Sequence, residues 1–267
     1  MASMTVYQSL SYVVAVNVVT IAWVYVGHVK WLSFQTLAKA MFLPTAMALY
    51  FTDDVWSLVV RVLGVRQPLE AVAYSAVAVY SVAALVGACV VIDLLMGWAQ
   101  LNHQPDYQAD VLNGTFFNGT FFGSFLRAAG EEVGWRCFLL PSLMSHFTPG
   151  VALLLSGVAW GLFHVPVLIL MTSRLSPPRP RITVLVQCLS VTLSAFPHGW
   201  VAIKSGYSIW ASGLMHTLWN QVNPVILGSI YTQAPGVVVG HQWLINGEGL
   251  AGCIVILPLA IWMSVTM

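Results

Sequence analysis

The chain has 267 residues, 58% of them hydrophobic and 7% charged, and ten Lys and Arg against nine Asp and Glu leave a net charge of +1. A soluble domain carries about 25% charged residues, so a water-soluble globule is excluded. The even balance of charge also excludes a nucleic-acid partner and shows no polybasic block for anionic lipid. Apolar runs approach or exceed the ~20 residues that a helix needs to cross a bilayer, against ~10 for a barrel strand, and hydrocarbon leaves no backbone group unsatisfied. The expected fold is therefore all-α, a multi-pass transmembrane bundle of about eight membrane helices around a central polar cavity. Residues 1–267 form one integral membrane domain, with a motif-bearing core near 126–230.

The first span runs from Tyr7 to Val29 and is closed by Lys30 and Trp31, an interfacial charge and aromatic. Without a charged leader or a small-residue cleavage site it reads as a retained helix rather than a signal peptide. Leu37 to Phe51 is a shorter, proline-interrupted candidate span. From Asp53 to Leu69, apolar residues at helical spacing mix with charges, as in an interfacial amphipathic helix. Glu70 to Met96 is a long Ala- and Val-rich span whose Asp93, near one end, is expected at the interface. The polar interruption from Trp98 to Ser124 contains two sequons, at Asn113 and Asn118, usable only in a lumenal or extracellular loop.

Leu126 to Met144 carries Gly130-Glu131-Glu132-Val133-Gly134-Trp135-Arg136, and Val151 to Met171 carries Trp160 and His164. Between this span and the next, the basic, proline-rich stretch from Arg174 to Arg181 is the clearest positive-inside signal. Placing it in the cytoplasm and counting eight spans puts Lys30 and the sequon loop there too. Ile182 to Ile203 is expected to bend or break at Pro197, with His198 serving a carbonyl freed by the proline. Tyr207 to Ile230 holds His216 and Asn220, and Leu250 to Thr266 completes the bundle. His28, His103, His146 and His241 fall at span ends or in loops, and Cys89, Cys137, Cys188 and Cys253 sit singly in apolar segments as packing residues.

A charge at the bilayer centre costs roughly 2.5 to 3.5 kcal/mol on insertion scales, so the polar residues of three spans must meet one another or line a wet cavity. Glu132 and Arg136 share a helix face in the favourable acid-first order, while Glu131 is rotated away by about 100°. His216 with Asn220, and Trp160 with His164, share faces in the same way. A buried carboxylate aided by an imidazole can deprotonate water, and a His and an Asn amide can donate to the resulting oxyanion. Glu131, His164 and His216 also make a common zinc set with an open position for water, although no HExxH spacing is present. The cofactor therefore stays open between none and zinc.

Glu131-Glu132-Val-Gly-Trp-Arg136, Trp160-Gly-Leu-Phe-His164 and His216-Thr-Leu-Trp-Asn220, in that order on successive apolar segments, resemble the EExxxR, FxxxH and HxxxN motifs of the CPBP family. That family comprises type II CAAX prenyl endopeptidases and bacteriocin-immunity-type intramembrane proteases. The resemblance implies that Glu131 and His164 activate water, that His216 and Asn220 stabilise the oxyanion, and that Glu132 and Arg136 hold the site together. It implies a membrane-associated protein or peptide substrate, prenylated in the CAAX case, and leaves metal and glutamate mechanisms open. Trp160 stands where the family has Phe, and Cys137 where it often has Gly. A catalytically silent scaffold or immunity factor, and a proton relay or transporter, are the competing readings of the same cavity.

Overall fold

The computed structural model describes residues 4–103 and 120–267. The sequons at Asn113 and Asn118 lie outside the described residues. Helix α1 (Val6–Val29) starts from a capping box in which Thr5 Oγ1 accepts from the Gln8 amide and Gln8 Oε1 from the Thr5 amide. Tyr12, Val16, Thr20 and Val24 face inward, while Leu10, Val14, Val18, Ile21 and Tyr25 are exposed. A helix that is apolar on its outer as well as its inner face has no side suited to water, and lipid is the solvent it fits.

The expected span from Leu37 to Phe51 is not one helix. It divides into α2 (Phe34–Leu37), a 3₁₀ turn (Ala38–Phe42) and α3 (Leu43–Phe51). Pro44 lacks an amide hydrogen and starts α3 in its first turn, and α3 alone reaches about 14 Å, under half of a hydrocarbon core. Helix α4 (Val55–Val62) is the short amphipathic element expected there, capped by Asp54, with Leu58 buried and Trp56 exposed. Helix α5 (Pro68–Leu95) matches its expected span, but Asp93 corrects its expected interfacial setting. It is 0% exposed, and its carboxylate oxygens have no hydrogen-bond partner among the described residues. Strand β1 (Ala99–Leu101) pairs antiparallel with β2 (Val238–Gly240), both too short to show an alternating pattern in sequence.

Helix α6 (Thr120–Glu132) runs into a π segment (Val133–Leu139) and then α7 (Leu140–Met144). Then come α8 (Pro149–Leu175), α9 (Pro180–Lys204), α10 (Ile209–Leu227), the single turn α11 (Gln242–Ile245) and α12 (Leu250–Thr266). Helix α9 continues unbroken through Pro197. Among the described residues, five helical stretches are long and apolar enough to cross a membrane: Val6–Val29, Pro68–Leu95, Pro149–Leu175, Pro180–Lys204 and Gln242–Thr266. The expected eight thus fall to five by length and hydropathy. Two of the three motif-bearing stretches are outside the five: 120–144 is divided by its π segment into helices shorter than 18 residues, and Ile209–Leu227 has its hydropathy lowered by His216, Asn220, Gln221 and Asn223.

Small residues set the close helix approaches. A Cβ added at Gly157 or Gly161 of α8 would run into the backbone and Thr192 side chain of α9, the small-residue packing that membrane helices use. The motif helix lies equally close to the first third of the chain, since a Cβ at Gly130 would meet Met41 and Phe42 and one at Gly134 would meet Pro44 and Tyr12. Thr45 Oγ1 donates to the Gly130 carbonyl at 2.6 Å, and Tyr12 Oη to that of Pro44 at 3.0 Å. Arg174 donates to the Leu32 and Gly27 carbonyls at 2.7 and 2.8 Å. That clamp puts Lys30 and the start of the basic stretch at one end of the bundle.

Candidate active site

The motif helix changes pitch at the motif itself. Glu131 and Glu132 close the α-helical part, Gly134 to Arg136 lie in the π segment, and such wide turns inside α-helices are frequent at functional sites. Both carboxylates are buried, at 1% and 0% exposure, and they point to different partners. Glu132 Oε1 accepts a hydrogen bond from His216 Nδ1 at 2.9 Å, and Glu132 Oε2 lies 3.3 Å from Arg136 Nε. That second approach is an ion pair without hydrogen-bond alignment. The Arg136 guanidinium instead lies over the Trp160 ring, its Cζ 3.8 Å from the centroid. Glu131 Oε2 takes a 2.5 Å hydrogen bond from the Trp160 indole N–H.

Trp160 is therefore the residue around which the site is assembled. Its ring has the Arg136 guanidinium over it and meets His164, His198 and His216 edge-on at centroid separations of 5.7, 5.4 and 5.5 Å. The Phe of the resembled motif can fill such a space but cannot donate to Glu131. This hydrogen bond has no signature in sequence, because a side chain's partner on another helix is not written in its spacing.

The imidazoles can be assigned from their partners. His164 Nδ1 lies 2.8 Å from the Trp160 carbonyl and His198 Nδ1 2.8 Å from that of Ser194, each four residues back on its own helix. A carbonyl only accepts, so both Nδ1 atoms carry hydrogen, and in the neutral ring Nε2 is a bare lone pair. His216 has the same form, with the Glu132 carboxylate in place of the carbonyl. For His198 the expected role is not met: Pro197 frees the Leu193 carbonyl, whereas the one engaged belongs to Ser194. His198 is 1% exposed, and its Nε2 has no partner among the described residues.

A cavity of about 240 Å³ joins these groups. Glu131, Trp160, His164, His216 and Asn220 all line it, so the structure gathers five of the seven residues singled out from sequence around one space, with Glu132 and Arg136 buried behind them. Its far wall is apolar, from Val24, Phe34, Leu37 and Val167. Glu248 also lines the cavity and went unseen in sequence, where a lone acid in Asn246-Gly247-Glu248-Gly249 reads as a polar turn. The other four histidines are exposed, as expected.

The same geometry bears on zinc. The donors have the right chemistry, since each Nε2 is free and each Nδ1 is fixed as in ligating histidines. Yet among the described residues no three His, Cys, Asp or Glu side chains gather closely enough to hold one ion. The residues do not fit a resident metal in this arrangement.

No curated protein matches the chain. A family model described as type II CAAX prenyl endopeptidase Rce1-like matches residues 112–222. All three motifs, from Glu131 to Asn220, fall within the matched segment, and over that segment the chain is similar to type II CAAX prenyl endopeptidases.

Proposed function

We propose that the chain is an intramembrane endopeptidase in which Glu131 and His164 activate water and His216 and Asn220 stabilise the oxyanion. The observation that carries this reading is the shared cavity, where a buried carboxylate, two free imidazole nitrogens and a primary amide converge. With Oε2 held by Trp160, Glu131 keeps Oε1 for the water proton, and His164 Nε2 accepts the other water hydrogen. The hydroxide oxygen bonds to the scissile carbonyl carbon, whose oxygen takes the π-electron pair as an oxyanion. The Asn220 amide donates to that oxygen. His216 donates from Nε2 in its doubly protonated form, with its Nδ1 proton on Glu132. Collapse breaks the C–N bond, and the proton held by Glu131 passes to the leaving amine. The products are a carboxylic acid and an amine, and Glu131 ends as the carboxylate it began as.

Glu132 and Arg136 serve as supports, with Glu132 fixing the His216 ring and Arg136 held between that acid and the Trp160 face. No step needs a metal. The substrate is a segment of a membrane-associated protein, and its lipid status is read by offering prenylated and unmodified versions of one peptide.

The test is peptide hydrolysis by purified protein in liposomes. Glu131→Ala and His164→Ala are expected to lower kcat by about 10²- to 10⁴-fold, the usual contribution of a positioned acid or base. Unchanged cleavage in both variants would sink the proposal. A cellular function that survives both would assign the cavity to a silent scaffold.

A further inference from the structure

The cavity contains more hydrogen-bond acceptors than the proposed chemistry uses, and the chain builds one of them with care. Glu248 sits on a loop whose backbone is fixed at several points. The Gly247 amide donates to Asn223 Oδ1 at 3.0 Å, the Glu248 amide to Asn246 Oδ1 at 2.8 Å, and Ser190 Oγ to the Gly247 carbonyl at 3.0 Å. Asn246 is itself tied to Gln242 and to the Gly228 carbonyl. The carboxylate is oriented by Gln187 Nε2 on Oε2 at 2.5 Å and Trp219 Nε1 on Oε1 at 3.3 Å.

What Glu248 lacks is a cation in direct contact, since His164 and His216 act on it only from a distance. The described residues offer it no ion pair, and Arg136 is taken by Glu132 and Trp160. Arg127 is the one Lys or Arg among the residues lining the cavity, and it is exposed. The indole donors are spent as well, Trp160 on Glu131 and Trp219 on Glu248. His198 Nε2, in a residue 1% exposed, is a second acceptor with nothing to accept. A wall of acceptors calls for a ligand rich in donors, and an unbalanced carboxylate in a poorly solvated site calls for positive charge.

We infer that Glu248 forms a specificity subsite for a cationic side chain, Lys or Arg, in the peptide segment that occupies the cavity, with His198 Nε2 accepting one further donor from it. The inference rests on the protease reading for the identity of the ligand as a substrate. Glu248 lies beyond the segment matched by the family model, and neither of its roles here is needed for the hydrolytic step.

The test uses full-length protein in liposomes and capped apolar peptides that differ only in carrying one Lys, one norleucine or one Glu. Wild type is expected to favour Lys over norleucine in kcat/KM by roughly tenfold or more, the lower end of coupling for close charge pairs. Glu248→Gln, which keeps the shape and the Gln187 contact, should erase that preference while leaving the norleucine peptide unchanged. His198→Phe should reduce the preference in part.

Equal cleavage of the Lys and norleucine peptides by wild type overturns the subsite and leaves the protease reading intact. Equal losses on both peptides in Glu248→Gln overturn it too, as a sign of general damage. Equilibrium binding to Glu131→Ala protein separates the two readings. If wild type cleaves nothing while Glu131→Ala binds the Lys peptide in a Glu248-dependent way, the subsite stands and the protease reading falls. If wild type cleaves nothing and the Lys peptide does not bind, both fall.

Discussion

Trp160→Phe is the most informative single change, because it separates the shape of the site from one hydrogen atom. Phe preserves an aromatic ring for the Arg136 guanidinium and for the edges of His164, His198 and His216, all of which pack on Trp160. It removes the indole N–H that reaches Glu131 Oε2 at 2.5 Å. A hydrogen bond to a charged group contributes about 1.5 to 3 kcal/mol. If that contribution acts on the orientation of Glu131 during attack, kcat falls by roughly 10- to 150-fold. KM should move little, since Glu131 is assigned to the water and not to the peptide. The measurement is steady-state hydrolysis of a quenched fluorescent peptide in liposomes, with thermal unfolding followed in parallel. Trp160→Leu serves as the reference for lost packing. Full activity in Trp160→Phe would refute the assignment and show that the Phe of the family motif is functionally equivalent here. Equal losses in the Phe and Leu variants would assign the effect to the N–H that both lack, whereas a loss confined to the Leu variant would show that packing, and not the N–H, is what matters.

Three further outcomes are expected. Asn220→Ala should lose about 2.7 to 4 kcal/mol of transition-state stabilisation, some 10²- to 10³-fold in kcat, and a loss confined to KM would argue against an oxyanion role. Glu132→Gln should destabilise the fold by about 3 to 5 kcal/mol because it strands the buried Arg136. The double variant Glu132→Gln/Arg136→Met should regain much of that in a detergent unfolding assay, whereas equal instability of the two would contradict the pairing. Chelation with phenanthroline should leave hydrolysis unchanged, and inactivation restored by zinc would require the ligand geometry to close up around an ion.

The bundle and the heart of the site were legible because both are written in local spacing. A four-residue interval puts Glu132 beside Arg136, and that ion pair is present at 3.3 Å. The same interval puts Trp160 before His164, whose Nδ1 returns to the Trp160 carbonyl. What escaped was set by distant contacts. Whether Asp93 meets lipid headgroups or the interior depends on which helices cover the end of α5, and its 0% exposure has no signature in its neighbours. Glu248 owes its place to Asn223, Asn246 and Ser190, residues from other elements or turns. The run from Leu37 to Phe51 is apolar enough to suggest a crossing, yet its 3₁₀ turn and Pro44 divide it. Periodicity also expects a plain α-helix through Val133 to Leu139, where the chain takes the wider turn.

That wider turn makes the site tolerant of a change in length that the surrounding membrane helices are not. A π turn accommodates about one residue more than an α turn, and each residue of an α-helix advances the side chains by about 100°. The segment from Val133 to Leu139 therefore absorbs an extra residue while the helix on either side keeps its facing. Deleting one residue there, other than Arg136, would let the segment close into a regular α-helix with Glu131 still turned to Trp160 and Glu132 to His216. The same deletion between Trp160 and His164, in regular α-helix, would turn everything on one side of it by about 100°. The wide turn is thus the place in the motif helix where a residue can be lost without re-aiming the two carboxylates.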